Sequence, residues 1–174
     1  MTWTTRRLKA EDALSYRGIR LEGLKTEPAS FGSDFAREAG RTEVEWANQL
    51  EANFTFGVFD RDDLVGIATF VPETMEKVKH RAHVVGVYVK ERARGKGASR
   101  ALFESLIEGA RREVVQLHLV VTTHNERARG FYEHFGFEIY GTDPRGLKVD
   151  GRFYDDYLMV LRLDEGGKKV TDNE

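Results

Sequence analysis

The chain has 174 residues, a formal net charge of −2, 40% hydrophobic and 32% charged residues, and no cysteine. That balance fits one soluble globular domain with a core of its own, and it argues against bulk nucleic-acid binding, which calls for a basic domain. The lack of cysteine excludes disulfides, thiolate nucleophiles, cysteine-held zinc and a covalent acyl-cysteine intermediate.

No apolar run approaches the roughly eighteen residues of a membrane helix, and MTWTTRRLKAED lacks a signal-peptide core. The expectation is a cytoplasmic protein with neither membrane nor nucleic-acid partner. Residues 1–163 are expected to form a single domain, and the polar segment 164–174 a frayed tail. The histidines, His80, His83, His118, His124 and His134, form no H-E-x-x-H pair, so no metal site is expected.

In chain order, Thr2 to Leu8 alternates weakly and reads as an edge strand. Ala10 to Leu24 places Leu14, Gly18, Leu21 and Leu24 at helical spacing. Ala29 to Gly40 predicts an ordered loop or short helical turn, where an exposed Phe31 and Phe35 would be odd unless they line something. Thr42-Glu43-Val44-Glu45 matches a capping box, so a helix should cover Thr42 to Glu51 and bury Trp46 and Leu50. Asn53 to Phe59 and Leu64 to Val71 flank a polar turn and predict an antiparallel hairpin.

Val84 to Val89 is rich in β-branched and aromatic residues and uncharged, which suits a strand buried on both faces. From Ala98 the period changes to helical. Ala98, Leu102, Leu106 and Gly109/Ala110 form an apolar stripe, and Arg100–Glu104 and Glu108–Arg112 are helix-spaced charge pairs. Val114 to Thr122 predicts another strand, parallel to Val84 to Val89 because a helix joins them. Asn125 can cap a helix carrying Ala128, Phe131, Tyr132 and Phe135 on one face, with Gly136 as its terminator. Phe137 to Tyr140 and Arg145 to Val149 predict strands, and Asp150-Gly151 a hairpin turn into Arg152 to Leu163. The order is β-α-α-β-β-β-α-β-α-β-β, an α/β fold with a mixed, mostly antiparallel sheet of about seven strands.

The turn Arg92-Ala93-Arg94-Gly95-Lys96-Gly97 joins the central strand to its helix. Two alternating glycines let successive N–H groups curl inward, and the helix dipole adds about half a positive charge there, so the turn can cradle a pyrophosphate. Arg92, Arg94, Lys96 and Arg100 raise the local potential. A Walker loop is excluded, since Lys90 stands where its first glycine belongs and Gly97 follows Lys96. A dinucleotide fingerprint fits poorly, because Arg100 replaces its third glycine and no βαβ unit precedes it.

Arg92-x-x-Gly95-x-Gly97 resembles the [Q/R]-x-x-G-x-[G/A] motif of the GNAT superfamily of N-acetyltransferases. Asn125-x-x-Ala128-x-x-Phe131-Tyr132-Glu133-His134-Phe135-Gly136-Phe137 is similar to the second signature of that family. The two occur in the right order, spacing and element context. The resemblance implies acetyl-CoA as cosubstrate, with no metal, and a parting of the two central parallel strands that Gly86 would ease. It implies that the backbone of Val87, Tyr88 and Val89 runs beside the pantetheine arm, that the N–H groups of Arg94, Gly95, Lys96, Gly97, Ala98 and Ser99 hold the pyrophosphate, that Asn125 meets the pantetheine, and that Tyr132 stands near the thioester sulfur.

The implied reaction is direct attack of a primary amine on the thioester through a tetrahedral intermediate. The N–H of Val87 or a neighbour would stabilise the oxyanion, and Tyr132 would protonate the departing thiolate. Candidate proton acceptors are His83, Glu38, Asp155 or a water chain. Arg127 and Arg129 are candidates for cofactor phosphates, and Tyr154, Tyr157, Phe31 and Phe35 for the acceptor wall. The rival reading is a non-catalytic acyl-CoA-binding sensor or interaction module. The acceptor is an amine, small or on a peptide or protein. Dimerisation is common among similar folds and stays open, because no exposed apolar face is identifiable.

Overall fold

The computed structural model describes residues 2–165. It is a mixed α/β fold with strands β1 (Trp3–Arg7), β2 (Phe54–Asp60), β3 (Asp63–Pro72), β4 (Arg81–Val89), β5 (Gln116–Thr122), β6 (Glu138–Val149) and β7 (Arg152–Arg162). The helices are α1 (Ala13–Thr26), α2 (Phe35–Ala39), α3 (Glu43–Ala52), α4 (Ala98–Ala110) and α5 (Glu126–His134). The hydrogen-bonded strand order is β1-β2-β3-β4-β5-β7-β6. Strands β4 and β5 run parallel, whereas β1–β2, β2–β3, β5–β7 and β6–β7 are antiparallel. The tail expected to fray lies, beyond residue 165, outside the described residues.

Packing divides the described residues into two compact units, residues 2–71 with 84–112, and residues 72–83 with 113–165. In the first, α1 and α3 bury Tyr16, Ile19, Leu24, Trp46 and Leu50 with Leu8, Phe59, Ile67 and Tyr88. Each large side chain taken fully from water contributes about 1.5–3 kcal/mol. The capping box forms: Glu45 N–H donates to Thr42 Oγ1 at 3.3 Å, and Thr42 N–H donates to Glu45 Oε2 at 2.6 Å. Helix α4 buries its stripe of Ala98, Leu102, Leu106 and Ala110, and both expected charge pairs close on its outer side.

The short helical turn expected in one loop forms, and two other expectations change. A short α2 forms within the Ala29 to Gly40 segment, its opening capped by Asp34, whose side chain accepts from Arg37 N–H. Phe31 is buried against Tyr88, and only Phe35 of the two phenylalanines is exposed. Val84 to Val89 is not buried on both faces, since Val85 is 46% exposed. Gly86, at φ +62°, breaks the alternation, so that Tyr88 and Val89 are both buried beyond it.

In the second unit Arg81 to His83 of β4 pair with Gln116 to His118 of β5, three residues earlier than the apolar run suggests. Leu117, Leu119, Val121 and Met159 are buried along β5 and β7. Asp150 (φ 48°) and Gly151 (φ 78°) make the expected tight turn from β6 to β7. The two short strands expected over Phe137 to Val149 are one strand, interrupted by register shifts at Ile139/Gly141 and Asp143/Leu147. The second shift contains Arg145 at φ 56°, a bulge that apolar alternation does not foretell.

Candidate active site

The glycine turn in the first unit is built as a main-chain concavity. Gly95 (φ 69°) and Gly97 (φ 90°) both take the left-handed conformation, which a side chain would strain, and nothing lies within 4 Å of where a Cβ on Gly95 would be. Gly97 is the N-cap of α4 and offers no side-chain acceptor. The ladder of α4 opens with Ala101 N–H to Gly97 O at 3.0 Å, so the N–H groups of Ala98, Ser99 and Arg100 precede it. Arg94 N–H instead closes a turn on Glu91 O at 3.1 Å.

The cations around the turn are not equivalent. Arg92 pairs with Asp60 and Asp63, and Arg100 with Glu104. The Arg94 guanidinium pairs with Glu27, donates to Val89 O at 2.7 Å and lies 5.5 Å from the Tyr88 ring. Arg94 thereby ties the turn to the end of β4. Lys96 is exposed and makes no ion pair among the described residues. Trp3 is a residue that sequence reasoning missed: its indole N–H donates to Lys96 O at 2.7 Å, and the ring lies 3.6 Å from a Cβ on Gly97.

Val87 is half-buried, and the Tyr88 phenol is engaged by α1, donating to Glu22 Oε1 at 2.8 Å and accepting from Thr26 Oγ1 at 3.4 Å. Burial, then the Glu22 carboxylate, pushes the Tyr88 hydroxyl above its ordinary pKa. Glu38 sits in a buried bidentate pair with Arg20, at 3.1 and 3.2 Å. The Arg20 guanidinium also reaches Ser33 and stacks 4.9 Å from Phe31. A Cβ on Gly86 would come within 2.8 Å of Arg20 Nη1, so the glycine in β4 makes room for an arginine. Burial would raise the Glu38 carboxyl, but Arg20, Ser33 and Arg41 together hold it below its ordinary pKa.

In the second unit Asn125 caps α5 as expected, its Oδ1 accepting from Ala128 N–H at 3.1 Å. Tyr132 is buried, with ring centroids 5.6 Å from Phe131 and 5.9 Å from Phe137. Burial raises its phenol far above the ordinary value, so it keeps its proton at any working pH. His83 Nε2 lies 2.8 Å from Glu73 Oε1, and its ring centroid 5.7 Å from that of His118. Asp155 accepts Arg145 N–H at 2.8 Å through its side chain. Arg129 stacks 5.9 Å from Tyr157, and Arg127 is exposed. Tyr154 packs edge-on to His124 at 5.9 Å.

Comparison with known proteins gives this geometry a lineage. Residues 21–137 match the model of the acetyltransferase (GNAT) family. Over 81 residues the chain is 38% identical to L-methionine sulfoximine/L-methionine sulfone acetyltransferases of Pseudomonas aeruginosa and Pseudomonas paraeruginosa. That stretch is 45% of this chain and 46% of each relative, so the match spans about half the length of those proteins. In fold the chain is similar to an acetyltransferase of the GNAT family from Streptococcus pneumoniae, with TM-score 0.83, 23% identity, and 93% of this chain and 99% of that one covered. It is likewise similar to yncA of Salmonella typhimurium, solved with its cofactor acetyl-CoA, with TM-score 0.78, 21% identity, and 96% and 97% covered. With a family match over more than half its length, the chain belongs to the GNAT family of acetyltransferases.

Proposed function

We propose that the chain is an acetyl-CoA-dependent N-acetyltransferase that acetylates a primary amine by direct attack, without a covalent enzyme intermediate. The observation that carries this reading is the pair of left-handed glycines, Gly95 and Gly97, ahead of a helix whose opening N–H groups have no side-chain cap. That concavity fits a pyrophosphate, and a side chain at either glycine would be strained by its positive φ. Bound acetyl-CoA would supply an acyl group as a reactive thioester. The N–H groups of Gly95 to Ser99 hold the phosphates, and Lys96 adds a countercharge. The main chain of Val87 to Val89 aligns the pantetheine arm, and the Val87 N–H polarises the acyl oxygen. Asn125, its Oδ1 committed to the cap, keeps an amide N–H₂ to offer.

An alkylammonium has a pKa of about 10 and must lose one proton before it can attack. The departing sulfur must gain one. Tyr132 is the donor in this reading, and what supports it is its place in the Asn125 to Phe137 signature and a phenol that is protonated at neutral pH. Thiol release is to be measured over a panel of amines, headed by L-methionine sulfone, named for the Pseudomonas relatives. Tyr132→Phe should lower kcat about a hundredfold while acetyl-CoA affinity stays within about twofold. Gly97→Asp should weaken acetyl-CoA binding at least about tenfold by calorimetry, because it sets a strained, negative side chain against the phosphates. Acetyl-CoA binding without turnover on any amine would instead support a non-catalytic acyl-CoA-binding module.

A further inference from the structure

Strands β5, β7 and β6 set Thr122, Asp156 and Asp143 in one cross-strand row, Asp156 facing each of the others as its Cα partner. Directly opposed residues share a face of the sheet, so the two aspartates point the same way. They also converge on Gly146: a Cβ there would be 2.3 Å from Asp156 Oδ2 and 3.2 Å from Asp143 Oδ2. The bulge around Arg145 brings that glycine over the pair, and only a residue without a side chain leaves the carboxylates their place.

Asp156 is 7% exposed, yet among the described residues its carboxyl makes no hydrogen bond and no ion pair. Cations are available close by in sequence and are held elsewhere. The Arg145 guanidinium lies 4.9 Å over the Phe153 ring and the Lys148 ammonium 5.2 Å over the same ring. The Arg145 N–H goes to Asp155. From β5 the facing residue, Thr122, is uncharged. Burial, followed by the fields of Asp143 and Asp155, pushes the Asp156 carboxyl above its ordinary pKa, as expected of an acid without its counter-ion. A buried carboxylate in this state is stabilised by whatever cation enters.

We propose that Asp156 and Asp143 form a subsite that takes the ammonium group of the amine acceptor, an inference that rests on the acetyl-transfer reading above. The ligand class is a primary alkylammonium. Val120, 57% exposed, and Leu158 are Cα partners two positions along from Thr122 and Asp156 on the same face, and they offer apolar surface to the carbon chain. A metal ion suits the site less well, since no group of three or more His, Asp or Glu is arranged to hold one among the described residues.

Calorimetry of the full chain with n-butylammonium chloride, with n-butanol as the uncharged control, tests the subsite without knowledge of the natural acceptor. The wild type should bind the ammonium and not the alcohol, and Asp156→Asn should weaken that binding at least about tenfold. Asp156→Asn should also melt at the same temperature or higher, because it removes an unpaired buried charge; a purely structural aspartate would melt lower. Gly146→Ala gives a second route, its methyl group displacing the carboxylate with every charge intact, and it should weaken binding similarly. Equal binding of n-butanol, or wild-type affinity in both variants, would overturn the proposal. If the amine panel gives no product while n-butylammonium still binds through Asp156, acetyl transfer falls and the subsite stands. If turnover proceeds and Asp156→Asn leaves the amine KM unchanged, the subsite falls and acetyl transfer stands.

Discussion

Two acidic residues are equally covered, Glu38 and Asp156, each 7% exposed, and their carboxylates are held in opposite ways. Glu38 receives both arms of Arg20, which keep it ionised in spite of burial. Asp156 faces another aspartate and has no cation among the described residues, so burial and like charge push its carboxyl toward the protonated form. Equal burial therefore carries different meanings. The first is a closed pair whose members satisfy one another. The second is an open half of a pair, which a protein retains at a cost unless something from outside completes it.

The largest test breaks the closed pair. Arg20→Met leaves Glu38 buried alone and should cost about 3–5 kcal/mol in urea unfolding, whereas adding Glu38→Leu should recover most of that loss. A single-variant cost below about 1 kcal/mol would mean that water reaches Glu38, and its contrast with Asp156 would dissolve.

Next in size is the opposite response of the two acids to pH. Glu38 has a folded pKa below its ordinary 4.5, so it contributes stability that is present above that value and is lost as pH falls through the folded pKa. Asp156 has a folded pKa above its ordinary 3.8; the folded state then holds its proton longer, and stability is lost as pH rises from 3.8 through the folded pKa. Replacing Asp156 by Asn removes that loss, so the variant should gain on the wild type with rising pH. Glu38→Gln should fall behind the wild type over the same range. Urea titrations between about pH 3 and pH 7 read both slopes, and parallel slopes would contradict the assignment of the two environments.

The paired and the open site differ also in how far they could be read from the chain. The glycine turn was legible because its residues are contiguous: Gly95, Gly97 and the stripe from Ala98 carry their conformational reasons within one turn of helix. The same holds for the Thr42–Glu45 capping box, the Asp150-Gly151 turn and Asn125 over Ala128. Arg20 with Glu38 was hidden, because a pair 18 residues apart depends on where the short α2 folds. Trp3 with Lys96, 93 residues apart, depends on β1 lying beside α4. Asp143 meets Asp156 only through a register set by the β6 bulge, and a shift of one residue would have sent the two to opposite faces. Apolar period finds strands, but it does not find a bulge made of Pro144, Arg145 and Gly146.

The smallest effect decides what makes the open site open. Asp143 is exposed and stands opposite Asp156, so Asp143→Asn relieves a like-charge pair worth a few tenths of a kcal/mol, or about 1 °C in melting temperature. Because Asp143 is in contact with solvent, this gain should shrink as salt is raised from about 0.01 M to 0.5 M, whereas the gain from Asp156→Asn should persist. If Asp143→Asn stabilises as much as Asp156→Asn at high salt, the raised proton affinity of Asp156 comes from its neighbour rather than from burial. Asp156 would then differ from Glu38 in its neighbour and not in its burial, and the subsite would be a surface pair of acids that any small cation can screen.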